Sequence, residues 1–284
     1  MPFLTKPPDP SPRRPRLALP AGACDTHFHL FGPAQRYRFD PDSPYVTADA
    51  LPETYFELQK ALGLERGVVV SGGAYGRDYS HLADTLERFP DRLRGIVLPR
   101  EDLSETEIRR LHALGVRGMR FISERRHGKL PRLDPALARR AFDAAGWQVH
   151  FYPRGDLGTV AAQLLELPNT IVLDHFGGVD VDAGEDPGPL LKLLDTGRVW
   201  VKLSGPMRCT REEYPYARVT PLAQRLVAHA PQRLVWGSDW PHVNMNERAM
   251  PNDGDLVDLL ADWVPSEQAR RQILSENPAR LFGF

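Results

Sequence analysis

From residue 23 onward, short runs rich in β-branched and aromatic residues alternate with longer stretches whose apolar positions recur every three or four residues. The short runs predict strands over 23–30, 67–71, 94–98, 117–122, 148–152, 170–175, 199–204 and 233–239. The longer stretches predict helices over 53–62, 80–89, 104–113, 135–145, 156–166, 187–194, 220–229 and 255–264, with a last helix near 265–275. Val68-Val69-Val70 and Ile171-Val172-Leu173 carry no polar alternation, the pattern of parallel strands covered on both faces. Ser104 stands three residues before Glu107 in capping-box spacing, and Gly115 and Gly146 are placed to close helices. Unbroken β/α succession predicts an α/β fold, a single (β/α)8 TIM barrel over residues 23–284, rather than an open doubly wound sheet.

The chain before residue 23 follows a different rule. Pro2, Pro7, Pro8, Pro10, Pro12, Pro15 and Pro20 are interspersed with Lys6, Arg13, Arg14 and Arg16. Residues 1–22 are therefore expected as an arm outside the barrel, extended or disordered. The run from Pro7 to Pro15 denies the continuous apolar segment of a secretory leader, and no stretch approaches the ~20 apolar residues of a membrane span. Cys24 and Cys209 are too few for a disulfide framework or a cysteine metal cluster, which fits a cytoplasmic protein with reduced thiols.

Composition adds constraint but little direction. The chain has 36 basic and 37 acidic residues, a formal net charge of −1, and 42% hydrophobic residues. That balance suits a globular chain with a large core and gives no electrostatic surface for nucleic acid or membrane.

The chemistry gathers at strand ends, where a barrel builds its open face. The first strand closes on Asp25-Thr26-His27-Phe28-His29, and alternation turns His27 and His29 to one side with Phe28 opposite. The sixth closes on Asp174-His175-Phe176-Gly177-Gly178, and the eighth on Gly237-Ser238-Asp239-Trp240-Pro241-His242. One buried histidine is most often a satisfied core residue. Three histidines and an aspartate at the ends of three strands of one barrel are costly to bury unless they act together.

These motifs, with the closing Asn277-Pro278-Ala279-Arg280-Leu281-Phe282, resemble the amidohydrolase-related family of the amidohydrolase superfamily over residues 23–284. Within it the pattern is most similar to the branch that hydrolyses the lactone 2-pyrone-4,6-dicarboxylate in aromatic catabolism. The resemblance implies a lactone (carboxylic-ester) hydrolase in which Asp239 is the general base for water, and His27, His29 and His175 polarise the carbonyl. It implies Arg120, Arg126 and Arg208 as grips for substrate carboxylates, with Tyr45 and Tyr152 lining the site. Asp25 and His242 fall to supporting roles, and His150 is expected to be structural. Gly73 departs from the pattern, which has a serine there, so either a water or Tyr75 replaces the hydroxyl, or the substrate differs.

His27, His29, His175 and Asp239 could also hold a single divalent ion such as Zn2+ or Mn2+. The resemblance would then call for further ligands from the fourth and fifth strands, where this chain has Arg120 and Tyr152. No metal and no other cofactor is therefore expected, and the partner expected is a small anionic substrate. Rival readings are a sugar-acid lactonase, a metal-dependent decarboxylase of the same family, and a non-catalytic binding barrel.

Overall fold

The computed structural model describes residues 2–43, 45–122, 133–154 and 157–284. Its sheet runs β1 (Cys24–Phe28), β2 (Arg66–Val70), β3 (Leu93–Val97), β4 (Val116–Ile122), β5 (Gln148–Tyr152), β6 (Ile171–Leu173), β7 (Val199–Ser204) and β8 (Leu234–Gly237). Every strand is parallel to its neighbour and the spatial order is the sequence order, so each crossover packs a helix on the outside. The predicted strands all occur. The first and eighth are shorter than expected because their last residues leave the ladder to build the mouth.

Those same residues close the barrel. Asp239 N donates to His27 O at 2.8 Å and His29 N donates to Trp240 O at 2.7 Å, bridging β8 to β1. The strands approach so closely that a Cβ at Gly237 would lie 2.6 Å from the Cβ of His27, so glycine is required there. Under this seam the buried Asp25 carboxylate accepts from Ser238 N (2.9 Å), Ser238 Oγ (2.6 Å), His27 N (3.0 Å) and Tyr55 Oη (3.0 Å). Burial pushes its pKa up to about 6, against the pull of these donors. Its expected supporting position thus becomes a structural clamp.

The lower half of the barrel interior is mostly apolar, with Gln148 and His150 as its polar pair. Val68, Ile96, Val172, Trp200 and Val235 fill it, and Leu281 and Phe282 from the last helix plug its floor. That floor differs from the expected end of the chain. A helix at Glu267–Arg271 passes through a π turn at Gln272–Glu276 into a further helix at Asn277–Phe282. Pro278 sits in the first turn of that last helix, where its missing N–H is no loss. The helix Glu105–Ala113 has only half its capping box: Ser104 Oγ accepts from Glu107 N at 3.2 Å, while the Glu107 carboxylate is taken by Arg110.

The N-terminal arm lies along this same barrel. Phe3–Leu4 pairs in parallel with Tyr45–Val46. Asn246 accepts from Lys6 N at 3.1 Å and donates to Leu4 O at 2.7 Å. Farther along, Asn252 accepts from Arg13 N (2.9 Å), and Asp258 accepts from Arg16 N (2.8 Å) and Leu17 N (3.0 Å). No helix among the described residues is long and apolar enough to cross a membrane.

Replacing Asp25 by Ala strands buried donors on both sides of the seam and is expected to cost about 3 kcal/mol, read as a lower midpoint in urea unfolding. Asn, which keeps an acceptor oxygen, is expected to cost clearly less. An alanine variant as stable as the parent would show that the seam does not depend on this carboxylate.

Candidate active site

Above the apolar floor the interior becomes charged. Strand alternation points Arg120 (β4), Asp174 (just past β6) and Lys202 (β7) inward, and all are buried. Arg120 Nε donates to Asp174 Oδ2 at 2.7 Å, and Lys202 Nζ lies 3.0 Å from Asp174 Oδ1. Burial alone would raise the Asp174 pKa, but Lys202, His27 and Arg120 together hold it well below the usual carboxylate range. Burial pulls the Lys202 pKa down, and Asp174 only partly restores it.

At the mouth the three imidazoles converge on one oxygen. Asp239 Oδ1 lies 3.6 Å from His27 Nε2, 3.7 Å from His29 Nε2 and 3.9 Å from His175 Nε2. These separations exceed a direct hydrogen bond and leave the oxygen accessible to a bound group. The other oxygen, Oδ2, is held by Arg208 through Nε (3.0 Å) and Nη2 (2.9 Å), and Nη2 also donates to Val243 O at 2.7 Å. Burial opposes ionisation of Asp239, yet Arg208 and the neighbouring histidines hold it well below the ordinary range, so it is a carboxylate at neutral pH. Burial brings the His175 pKa down to about 4, so this ring is neutral.

The back of each ring decides what its front can do. His29 Nδ1 lies 2.8 Å from Val70 O, a pure acceptor, so Nδ1 carries the proton and Nε2 presents a lone pair. His175 Nδ1 meets Ser204 Oγ at 3.0 Å, a hydroxyl that can give or take. His27 Nδ1 meets Lys202 Nζ at 3.1 Å. The three rings therefore differ in what stands behind them: a carbonyl, a hydroxyl and an ammonium.

Backbone strain is concentrated here. His175 (φ 50°) and Asp239 (φ 68°) both take the left-handed conformation, at about 1 kcal/mol or more each. Gly205, at φ 56°, lies so near His175 that a Cβ would come within 2.8 Å of Nδ1.

The pocket is lined by His29, His175 and Asp239 below, with Tyr45, Tyr152, Arg120, Arg154 and Arg208 on its walls. Burial pushes both tyrosine hydroxyls up to about 12, so they remain neutral. Tyr152 stands edge-on to His175, with ring centres 4.7 Å apart, and the Arg154 guanidinium lies 5.1 Å from the Tyr152 ring centre. Arg126 falls outside the described residues.

His242 does not reach the pocket: its Nε2 lies 3.0 Å from Asp253 Oδ1, tying the last loop to the helix Asp253–Trp263. His150 meets Gln148 Oε1 at 3.0 Å below the site. Gly73 lines the pocket, and a Cβ there would meet Tyr45 Oη at 3.4 Å. The hydroxyl beside Gly73 is thus Tyr45, whereas Tyr75 Oη is engaged by Gly32 N at 2.7 Å.

Lys202, Arg154 and the bridging role of Asp174 escape the sequence reading. A signal for Lys202 was present: in Val199-Trp200-Val201-Lys202-Leu203-Ser204 it is the one charge in a strand buried on both faces.

One ligand atom from each of His27, His175 and Asp239 lies within 4.8 Å of the others, close enough to share a cation. The donor set fits such an ion incompletely. A metal-bound imidazole normally gives its other N–H to an acceptor, as His29 does to Val70 O, whereas His27 faces an ammonium.

A barrel with polar groups from the ends of β1, β6 and β8 in one mouth is the framework of an amidohydrolase. Residues 24–284 match that family, and the chain belongs to it. It is 39% identical to a 4-sulfomuconolactone hydrolase of Hydrogenophaga intermedia, over 94% of this chain and 91% of that one. It is 34% identical to a 2-pyrone-4,6-dicarboxylate hydrolase of Comamonas testosteroni, over 96% and 93% of the two chains. A crystal structure from Agrobacterium tumefaciens, 32% identical, superposes with a TM-score of 0.84 over 95% of this chain and 98% of that one.

With its pKa brought down to about 4, the His175 ring is expected to keep neutral imidazole shifts by NMR from pH 8 to pH 5 and to titrate only below that. A midpoint near the unperturbed ~6.5 would mean that solvent reaches this ring.

Proposed function

We propose that the protein hydrolyses a lactone bearing anionic substituents, with Asp239 as general base. One observation carries this reading: Asp239 Oδ1 faces three imidazole nitrogens at the base of the pocket, while Arg208 occupies only Oδ2. The carboxylate is oriented by one oxygen and left reactive at the other. A water between Oδ1 and His29 Nε2 can give one proton to each acceptor's lone pair, which directs its own oxygen at the lactone carbonyl.

The reaction then balances within the site. The water oxygen bonds to the carbonyl carbon as its proton passes to Asp239 Oδ1. The carbonyl π pair moves onto oxygen, which takes a hydrogen bond from His27 Nε2, a role His175 can share. Collapse breaks the ring C–O bond, and the proton on Asp239 passes to the departing oxygen. Neither His29 nor a resident metal is needed as an electrophile.

Substrate charge is read from the walls. Among the described residues, Arg120, Lys202 and Arg208 stand against Asp174 and Asp239, so cations outnumber carboxylates at this largely buried site. Such a pocket favours an anion before any specific contact forms. The two named relatives act on lactones carrying sulfo or dicarboxylate groups, which supports the same class here.

Purified protein assayed with 4-sulfomuconolactone, 2-pyrone-4,6-dicarboxylate and a neutral sugar lactone is expected to hydrolyse at least one of the anionic pair and to spare the neutral one. Turnover of the neutral lactone alone would overturn the substrate class. Asp239→Asn is expected to lower kcat by about 10^3-fold with ligand affinity little changed; unaltered kcat would remove Asp239 as base.

Arg120→Met is expected to act mainly on KM, raising it about 30-fold or more, whereas Arg208→Met is expected to lower kcat as well, since Asp239 loses its anchor. Exhaustive chelation is expected to leave the rate unchanged. Loss that Zn2+ or Mn2+ restores would refute metal-free hydrolysis.

A further inference from the structure

Lys202 does not line the pocket and takes part in no step of the chemistry above beyond adding positive charge, yet it is fully buried in the barrel against a histidine of the site. A buried lysine is an expensive way to fill space, and an apolar side chain of similar volume would serve packing as well or better. Its contacts indicate another purpose. Lys202 Nζ is 3.1 Å from His27 Nδ1 and 3.0 Å from Asp174 Oδ1, whose partner oxygen is bound by Arg120.

An ammonium group can only donate, so a ring nitrogen that faces it must accept. Asp174 Oδ1 also approaches His27 Nδ1, but at 3.3 Å it is the longer and less well aligned contact, whereas Lys202 at 3.1 Å is aligned for a hydrogen bond. With Nδ1 accepting, the proton of a neutral His27 resides on Nε2. That nitrogen is buried, has no hydrogen-bond partner among the described residues, and faces Asp239 Oδ1 across 3.6 Å. The adjacent motif residue is held the opposite way: His29 gives its Nδ1 proton to Val70 O and keeps a bare Nε2.

We propose that Lys202 is a positioning residue that locks His27 in its Nε2–H tautomer, making the ring a hydrogen-bond donor at the mouth and disqualifying it as a metal ligand. The two histidines of the His27-Phe28-His29 motif thereby have opposite polarity, one giving a proton and one offering a lone pair. Among the described residues, removing Lys202 leaves Asp174 as the polar partner of Nδ1, which would draw the proton to that side and free Nε2 to coordinate a cation beside His175 and Asp239. The donor role rests on the lactonase reading above; the tautomer and the exclusion of metal do not.

Long-range 1H–15N correlation spectra of the full chain with 15N-labelled histidine, assigned by His27→Gln and His29→Gln, test this directly. In the parent, His27 is expected as Nε2–H and His29 as Nδ1–H. In Lys202→Met, His27 is expected to switch to Nδ1–H, Zn2+ affinity by calorimetry to rise at least about tenfold, and metal-free kcat to fall about 10- to 100-fold with little change in KM. Lys202→Gln, which retains a neutral donor, is expected to restore the Nε2–H form and much of kcat.

A parent His27 found as Nδ1–H overturns the proposal even if the methionine variant does not fold. Unchanged Zn2+ affinity in a folded Lys202→Met overturns the exclusion of metal. A tautomer as expected, in a protein that hydrolyses no anionic lactone, would reject the proposed function and leave the lock standing.

Discussion

The first and last strands meet through two backbone hydrogen bonds, His29 N to Trp240 O and Asp239 N to His27 O, with the Asp25 carboxylate gripping both sides beneath them. The site depends on that junction. His27 and Asp239 are 212 positions apart in the chain but share a backbone hydrogen bond, so their side chains emerge side by side. A slip of one residue would turn both histidines of the motif toward the helices and Phe28 into the mouth. The close approach at Gly237 and the four donors on Asp25 leave no second register at comparable energy.

Given that alignment, the remaining problem is electrostatic. Two carboxylates kept ionised out of water would be untenable alone, and each is compensated by cations: Lys202 and Arg120 for Asp174, Arg208 for Oδ2 of Asp239. Pairs of this kind seldom add stability, because desolvation cancels most of the attraction. Together with the left-handed backbone at His175 and Asp239, they mark a region maintained at the expense of stability by the apolar packing of the lower barrel. His27 and His175, whose pKa values burial lowers, fit the same scheme, since further positive charge beside Arg208 and Arg120 would be repelled.

The barrel is legible in the sequence because its strands are unbroken apolar runs and its helices have a clear period. The site is legible to the depth of the strand ends: His27, His29, His175 and Asp239 are polar where a barrel opens, and the structure brings them within 4 Å of a common oxygen. What lies one layer deeper is harder to read. Lys202 and Asp174 acquire meaning only from each other, across β6 and β7, and nothing local distinguishes Asp174 from a turn residue. The tautomers depend on a carbonyl of Val70 and an ammonium on β7, neighbours that no motif encodes. The π turn at Gln272–Glu276 likewise hides behind Pro278, whose usual meaning is a stop.

The N-terminal arm brings a matter of timing into the fold. Its anchors are Asn246, Asn252 and Asp258, some 240 residues downstream of the segments they hold. During synthesis those anchors emerge long after the segments they hold, so residues 3–17 must wait for them before they can dock. When they do, Phe3–Leu4 reaches Tyr45 in the pocket wall while Asn246 ties the loop after β8. Docking of this early segment therefore couples one wall of the pocket to residues that become available only much later in synthesis.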